Sequence, residues 1–280
     1  MRDKVISTVV SSVISWYSRS SAARFSSAGP GGSDHTPQGT TASENGKLAL
    51  IHLTFLEALD YFERQGVALG WWKQTLGVNW PADGDYFSPW SFELSLTTPQ
   101  AWDVNLHEFG HAMMHASMHA QSAGGSHKID ECYSAALAWS EGWATFFAAA
   151  VHLDPADADA RFQYLVPRRA PIRIENVPED VCKGQTNEWR VASALWDLLD
   201  THPDGEEAVD FPFSRLWKAW EGQSMGSLTD YVKLLRRTLT PEELAQASAA
   251  MRQNSIEAAP ETPAAKTEPL LLAAPAFDGR

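Results

Sequence analysis

Two cysteines in 280 residues are too few for a disulfide-stapled scaffold or a four-cysteine zinc site. Cys132 and Cys182 can form a single bridge if the protein is exported, or can serve as two small buried hydrophobes. Basic clusters are equally scarce. The longest are the pairs Arg168-Arg169 and Arg236-Arg237, in a chain of formal net charge −13. Nothing here could neutralise a run of phosphates, which excludes a nucleic-acid partner. No stretch of about 18 consecutive apolar residues occurs, so no transmembrane segment is expected.

What is present suits a soluble folded domain, with 44% hydrophobic residues. The first 25 residues, MRDKVISTVVSSVISWYSRSSAARF, loosely imitate a secretory signal, but the apolar stretch from Val5 to Tyr17 is diluted by serines. A leader or an amphipathic surface helix competes with that reading. Residues 18–46 are crowded with Ser, Gly, Thr and Ala and lack the apolar side chains that offset ordering entropy. The chain therefore divides into a leader or linker over 1–46, a folded domain over 47–253, and a Pro/Ala-rich tail over 254–280.

Within the domain, Ile51, Phe55, Leu59 and Phe62 mark one face of a helix that Gly66 stops. SFELSLT, residues 91–97, alternates apolar and polar residues as a half-buried strand does. Thr98 and Pro99 then offer an N-cap and a first-turn proline for the next helix. Further helices are predicted over Asp130–Val151, Asn187–Leu199, Phe213–Trp220 and Leu228–Arg237, with Thr240 to Glu243 a capping-box start for the last. The fold expected is α+β and mostly helical, with a small antiparallel sheet whose edge strand precedes the histidine-bearing helix and could align an extended peptide.

That helix holds NLHEFGHAMMHASMH, with histidines at every fourth position: His107, His111, His115 and His119. Residues four apart share a helix face, so His107 and His111 can aim at one metal ion, and Glu108 projects beside them as a base for water. Each further step of four residues rises about 6 Å, so a straight helix cannot bring His115 or His119 to the same ion. These two are expected at the helix end, solvated or near its C-terminal dipole. A catalytic zinc takes three protein ligands and keeps an open position. Glu141 is the one charged residue in SAALAWSEGWATFFAAAV and would be costly to bury without a cation, which makes it the favoured third ligand. Glu131 and Asp130 compete from what reads as a polar helix start.

HEFGH, then SEGWATFF, then NEWRVASALWDLLD, resembles the fungalysin-like branch of the gluzincin zinc metallopeptidases, over roughly residues 91–200. The resemblance implies a zincin-like fold, with Zn2+ held by His107, His111 and Glu141, and Glu108 as general base. It also implies hydrolysis of peptide bonds in a peptide or protein substrate by a metal-activated water, and suggests a secreted or cell-envelope setting. Two departures stand out. Thr145 occupies the position of that family's aspartate, and CKGQTNEW lacks the histidine that would stabilise the transition state. His202, Tyr133 and Arg190 are the candidates for that missing donor, and Glu188 is either a supporting carboxylate or an ordinary helix start. The alternative is a catalytically silent relative that binds zinc or peptides without cutting.

Overall fold

The computed structural model describes residues 14–18, 43–118, 124–203, 205 and 208–257. His119 lies outside them, as do most of the expected leader and tail. The architecture is α+β, mostly helical with small sheets. Among the described residues no helix is long and apolar enough to cross a membrane.

Helix α1, Glu44–Arg64, begins where Ser43 accepts the Gly46 N–H and an acidic residue meets the positive end of the helix. It buries Ile51, Phe55, Leu59 and Phe62, and Gly66 follows in the left-handed region at φ 68°. Strands β1 (Ile14–Ser18), β2 (Leu76–Trp80), β3 (Tyr86–Ser88) and β4 (Glu93–Ser95) then form one sheet in the order β1-β2-β4-β3.

Two expectations about this sheet are corrected. It is mixed rather than antiparallel: β1 and β4 both run parallel to β2, and only β3 is antiparallel to β4. The strand before the histidine helix is interior, and β3 takes the edge. Gly77 of β2 sits opposite Glu93, where a Cβ would stand 2.7 Å from the glutamate Cγ, so the absent side chain makes room for β4. Asn79 also donates from Nδ2 to Glu93 Oε2 at 3.3 Å, giving this polar residue a partner inside the sheet. The strand is shorter than predicted because Phe92 turns to φ 54°.

Helix α2, Trp102–Ser117, starts later than the Thr98-Pro99 signal suggested, and Ala101 provides no side-chain cap. Its first turn is fixed instead by buried Asp103, whose Oδ2 accepts the N–H groups of Gln163, Tyr164 and Leu165 at 2.8, 2.6 and 3.0 Å. His115 stands in the last turn of α2, at the helix end as expected, half-buried against the rings of Phe87 and Phe92. Helix α3, Ala135–His152, is capped by Ser134, so Asp130 and Glu131 precede it rather than begin it. After the short antiparallel pair β5 (Arg161–Phe162) and β6 (Ile172–Arg173) come α4 (Glu188–Trp196), α5 (Phe213–Trp220), α6 (Leu228–Leu235) and α7 (Pro241–Gln253). Asn187 caps α4, and Thr240 with Glu243 forms the capping box of α7.

Helix α3 is apolar on every side because it is buried on every side, from Leu137 to Val151. Two glycines bring its neighbours close. A Cβ on Gly110 of α2 would lie 3.1 Å from Ala144 Cα, and one on Gly142 would lie 2.7 Å from the Glu188 carbonyl of α4. The remaining face is filled by aromatics: Trp143 meets Trp220 of α5 edge-on at 5.5 Å, and Trp139 stacks on Tyr231 of α6 at 5.6 Å. Glu141 thus projects from the most buried helix toward the face of α2 that carries the histidines.

Candidate metal centre

Three ligand atoms converge where α2 meets α3. Nε2 of His107 and Nε2 of His111 are each 3.1 Å from Oε2 of Glu141, and 3.2 Å from each other. A tetrahedral zinc site with bonds of about 2.0–2.1 Å spaces its ligand atoms about 3.3–3.4 Å apart, so this trio is already the size of one face of such a sphere. All three residues are buried. Crowding a carboxylate and two imidazole lone pairs into a buried space is unfavourable unless a cation or protons fill it.

The outer ring nitrogens show how the imidazoles are oriented. Nδ1 of His107 lies 3.1 Å from Thr145 Oγ1, and Nδ1 of His111 lies 3.5 Å from Ser140 Oγ. With Nδ1–H donated to these hydroxyls, each Nε2 presents its lone pair to the trio. Thr145, where the resembled family has aspartate, therefore still holds a histidine. The charges show how strongly the trio attracts positive charge, whether a cation or protons. Burial favours neutral His111, yet the facing Glu141 carboxylate pushes it up to about 9. Burial would raise Glu141 too, but His111 and the hydrogen bonds from both imidazoles hold it well below the usual carboxylate range. The residues fit a divalent metal.

Glu108 is buried beside this face, and burial raises its carboxyl above the ordinary value, opposed by His107 and His111 and reinforced by Glu141 and Asp85. A raised carboxyl is suited to taking and returning a proton. Asp85 immediately precedes β3, so the sheet edge lies near Glu108.

Glu131 is not drawn to the histidines. It is exposed and pairs with Lys128, and its Oε2 accepts from Tyr133 Oη at 3.1 Å. Arg190 is occupied elsewhere as well: its guanidinium donates to the carbonyls of Cys182 and Val181, both at 2.9 Å. His202 groups instead with Glu175 and Asp200, the ligand atoms of these three lying within 4.8 Å of one another. Glu188, by contrast, is buried at the first turn of α4 next to the trio, where burial raises its carboxyl.

The residue that sequence reasoning missed is His127. Its Nε2 is 3.4 Å from Glu188 Oε2 and 3.6 Å from Glu141 Oε2. Burial works against its proton, but the Glu188 and Glu141 charges prevail and raise its pKa. His127 comes from GGSHKIDEC, a polar loop without periodicity. The signal that could have found it is the cysteine pair, because the Cys132–Cys182 disulfide ties this loop to the segment entering α4.

A family model described as the mycolysin C-terminal domain matches residues 65–255, more than half of the chain. The chain belongs to the mycolysin C-terminal domain family. That membership supports a relationship to the metallopeptidases, and the matched range spans α2, α3 and α4. No curated protein matches the chain.

Proposed function

We propose that this mycolysin-family chain is a zinc-dependent peptidase of zincin-like form, related to the fungalysin-like gluzincins. His107, His111 and Glu141 would hold the metal, and Glu108 would act as general base. The observation that carries this reading is the buried Nε2, Nε2 and Oε2 triangle, 3.1–3.2 Å on each side. Zinc in such a site supplies a Lewis acid that polarises a water and the substrate carbonyl. Glu108 takes a proton from the attacking water and returns it to the leaving amine, a task its burial favours. Thr145 and Ser140 keep the two imidazoles in the tautomer that leaves Nε2 free to ligate. The free edge of β3 would align an extended peptide by backbone hydrogen bonds, the part first expected of the strand that proves interior.

The test is zinc analysis of the purified protein beside hydrolysis of a quenched-fluorescence peptide library. Glu108→Gln should keep its zinc and lose about 10²-fold or more in kcat. Full activity in that variant would sink the base assignment. Stoichiometric zinc without any turnover in the wild type would favour the silent relative.

A further inference from the structure

Helix α4 begins with Glu188 beside the metal-centre trio, and a second group of ligand-bearing side chains gathers past its other end. Glu175, Asp200 and His202 each offer one ligand atom, and these atoms lie within 4.8 Å of one another. Ligands around one ion with bonds of about 2.0–2.4 Å stand about 3.3–4.8 Å apart, so a single ion can reach all three. Glu175 arrives just past β6, whereas Asp200 and His202 follow the end of α4.

Both carboxylates are almost wholly buried, Glu175 with 3% and Asp200 with 4% of its surface exposed. Two like charges brought together out of water must share a proton or a cation. Their place on the helix favours the cation. The N–H groups of Leu199 and Asp200 both donate to the Trp196 carbonyl, at 2.7 and 2.9 Å, which sets Asp200 at the C-terminal end of α4. Helix carbonyls concentrate partial negative charge there. The last turn of α4 holds no basic side chain, and its C-cap is a further acid, Asp197.

The imidazole points the same way. Nδ1 of His202 is buried, and no group among the described residues hydrogen-bonds it. Such an atom is costly to bury unless it ligates. Glu175 is steadied from behind, since its Oε1 accepts the Trp196 indole N–H at 2.8 Å. Outer contacts of this kind orient a ligating carboxylate.

We propose that Glu175, Asp200 and His202 bind a divalent metal ion of their own, one that accepts carboxylate oxygens and an imidazole nitrogen together, as Zn2+ and Mn2+ do. Its part is structural: it ties the segment after β6 to the end of α4. The site does not depend on the peptidase reading and stands whether or not the chain cuts peptides.

The experiment uses the full chain, as wild type and with His107→Ala plus His111→Ala, which dismantles the other trio. Each protein is stripped with a chelator and titrated with Zn2+, Mn2+ and Ca2+, reading metal bound per chain and the thermal unfolding midpoint. The double variant should still bind one equivalent of Zn2+ or Mn2+. At about 100 times Kd, its midpoint should rise by about 5–10 °C. Asp200→Asn or His202→Ala, added to it, should weaken binding by at least about 10-fold. A double variant that is folded by circular dichroism but binds no metal would overturn the proposal and leave the carboxylates sharing a proton. Binding of Ca2+ alone, unmoved by His202→Ala, would overturn it as well, because the imidazole would then take no part. Should the double variant not fold, wild type decides: His202→Ala, a change at a half-buried residue, should lower its bound zinc by one equivalent, and unchanged stoichiometry and affinity would refute the site.

Discussion

Gly142 of α3 lies so close to Val191 of α4 that a Cβ on the glycine would stand 2.6 Å from the valine Cγ1. The same atom would lie 2.7 Å from the Glu188 carbonyl, so no side-chain adjustment alone relieves the clash. In an exposed helix, Gly→Ala gains about 1 kcal/mol of helix propensity. Here overpacking should outweigh it, and Gly142→Ala is expected to lower stability by about 1–3 kcal/mol in urea unfolding. Adding Val191→Ala should recover only part of the loss, because the backbone contact persists. Equal or greater stability of Gly142→Ala would contradict the close helix contact.

Thr145 tests how well a neutral hydroxyl orients a histidine of the proposed metal site. Its Oγ1 is 3.1 Å from Nδ1 of His107, and both groups are buried. Thr145→Val keeps the shape and removes the acceptor, so zinc affinity should fall about 10-fold. Thr145→Asp should restore or exceed the wild-type affinity. Competition against a chromophoric chelator measures both, and an unchanged Kd for the valine variant would show that His107 is oriented by packing alone.

The two halves of the site differed in how readable they were, for physical reasons. His107, Glu108 and His111 are close in space because they are close along one helix, and Glu141 is conspicuous as the lone charge in an apolar one. Local periodicity and the cost of burying charge suffice for both. His127 reaches the site through contacts that periodicity does not encode: a disulfide spanning 50 residues and the Asn187 bonds to Ile129 and Glu131. The sheet behaves likewise. Alternation over residues 91–97 shows that a strand has two faces, but its position between β2 and β3 depends on Gly77 and on the parallel pairing of β1. The late start of α3 has a similar cause, since Asp130 is held outside the helix by Arg168 and by the Cys182 N–H.

The start of α7 makes stability depend on acid. Arg215 bonds both oxygens of Glu243 at 2.6 and 2.8 Å, and Oε2 also accepts the Thr240 N–H at 2.9 Å. Arg215, then the Thr240 N–H, lowers the Glu243 carboxyl from 4.5 to about 2. A folded-state value below the unfolded one stabilises above pH 4.5, and the contribution drains away as pH falls toward 2. Glu243→Gln should therefore lower the urea midpoint at pH 7 and differ less and less from wild type as pH drops to 3. A difference independent of pH would mean that the charge is not what the pair contributes.

Replacing both cysteines separates the covalent tie from the hydrogen bonds that run beside it. Cys132 and Cys182 close a loop of 50 residues that contains all of α3, and in the chain-entropy description a bridge of that span stabilises by about 4 kcal/mol, with about 2–4 commonly measured. Cys132→Ser with Cys182→Ser should lower the unfolding free energy by that amount. The native arrangement should nonetheless persist, because the Tyr133 N–H still meets the Thr186 carbonyl at 2.8 Å and the Cys182 N–H, a backbone group, still meets Asp130 at 3.0 Å. Asn187 holds Ile129 and Glu131 as before. Zinc content per folded molecule should then match wild type at low denaturant, with only the midpoint moved. Loss of zinc from a variant that remains folded would show instead that the bridge itself shapes the site, through the loop that carries His127.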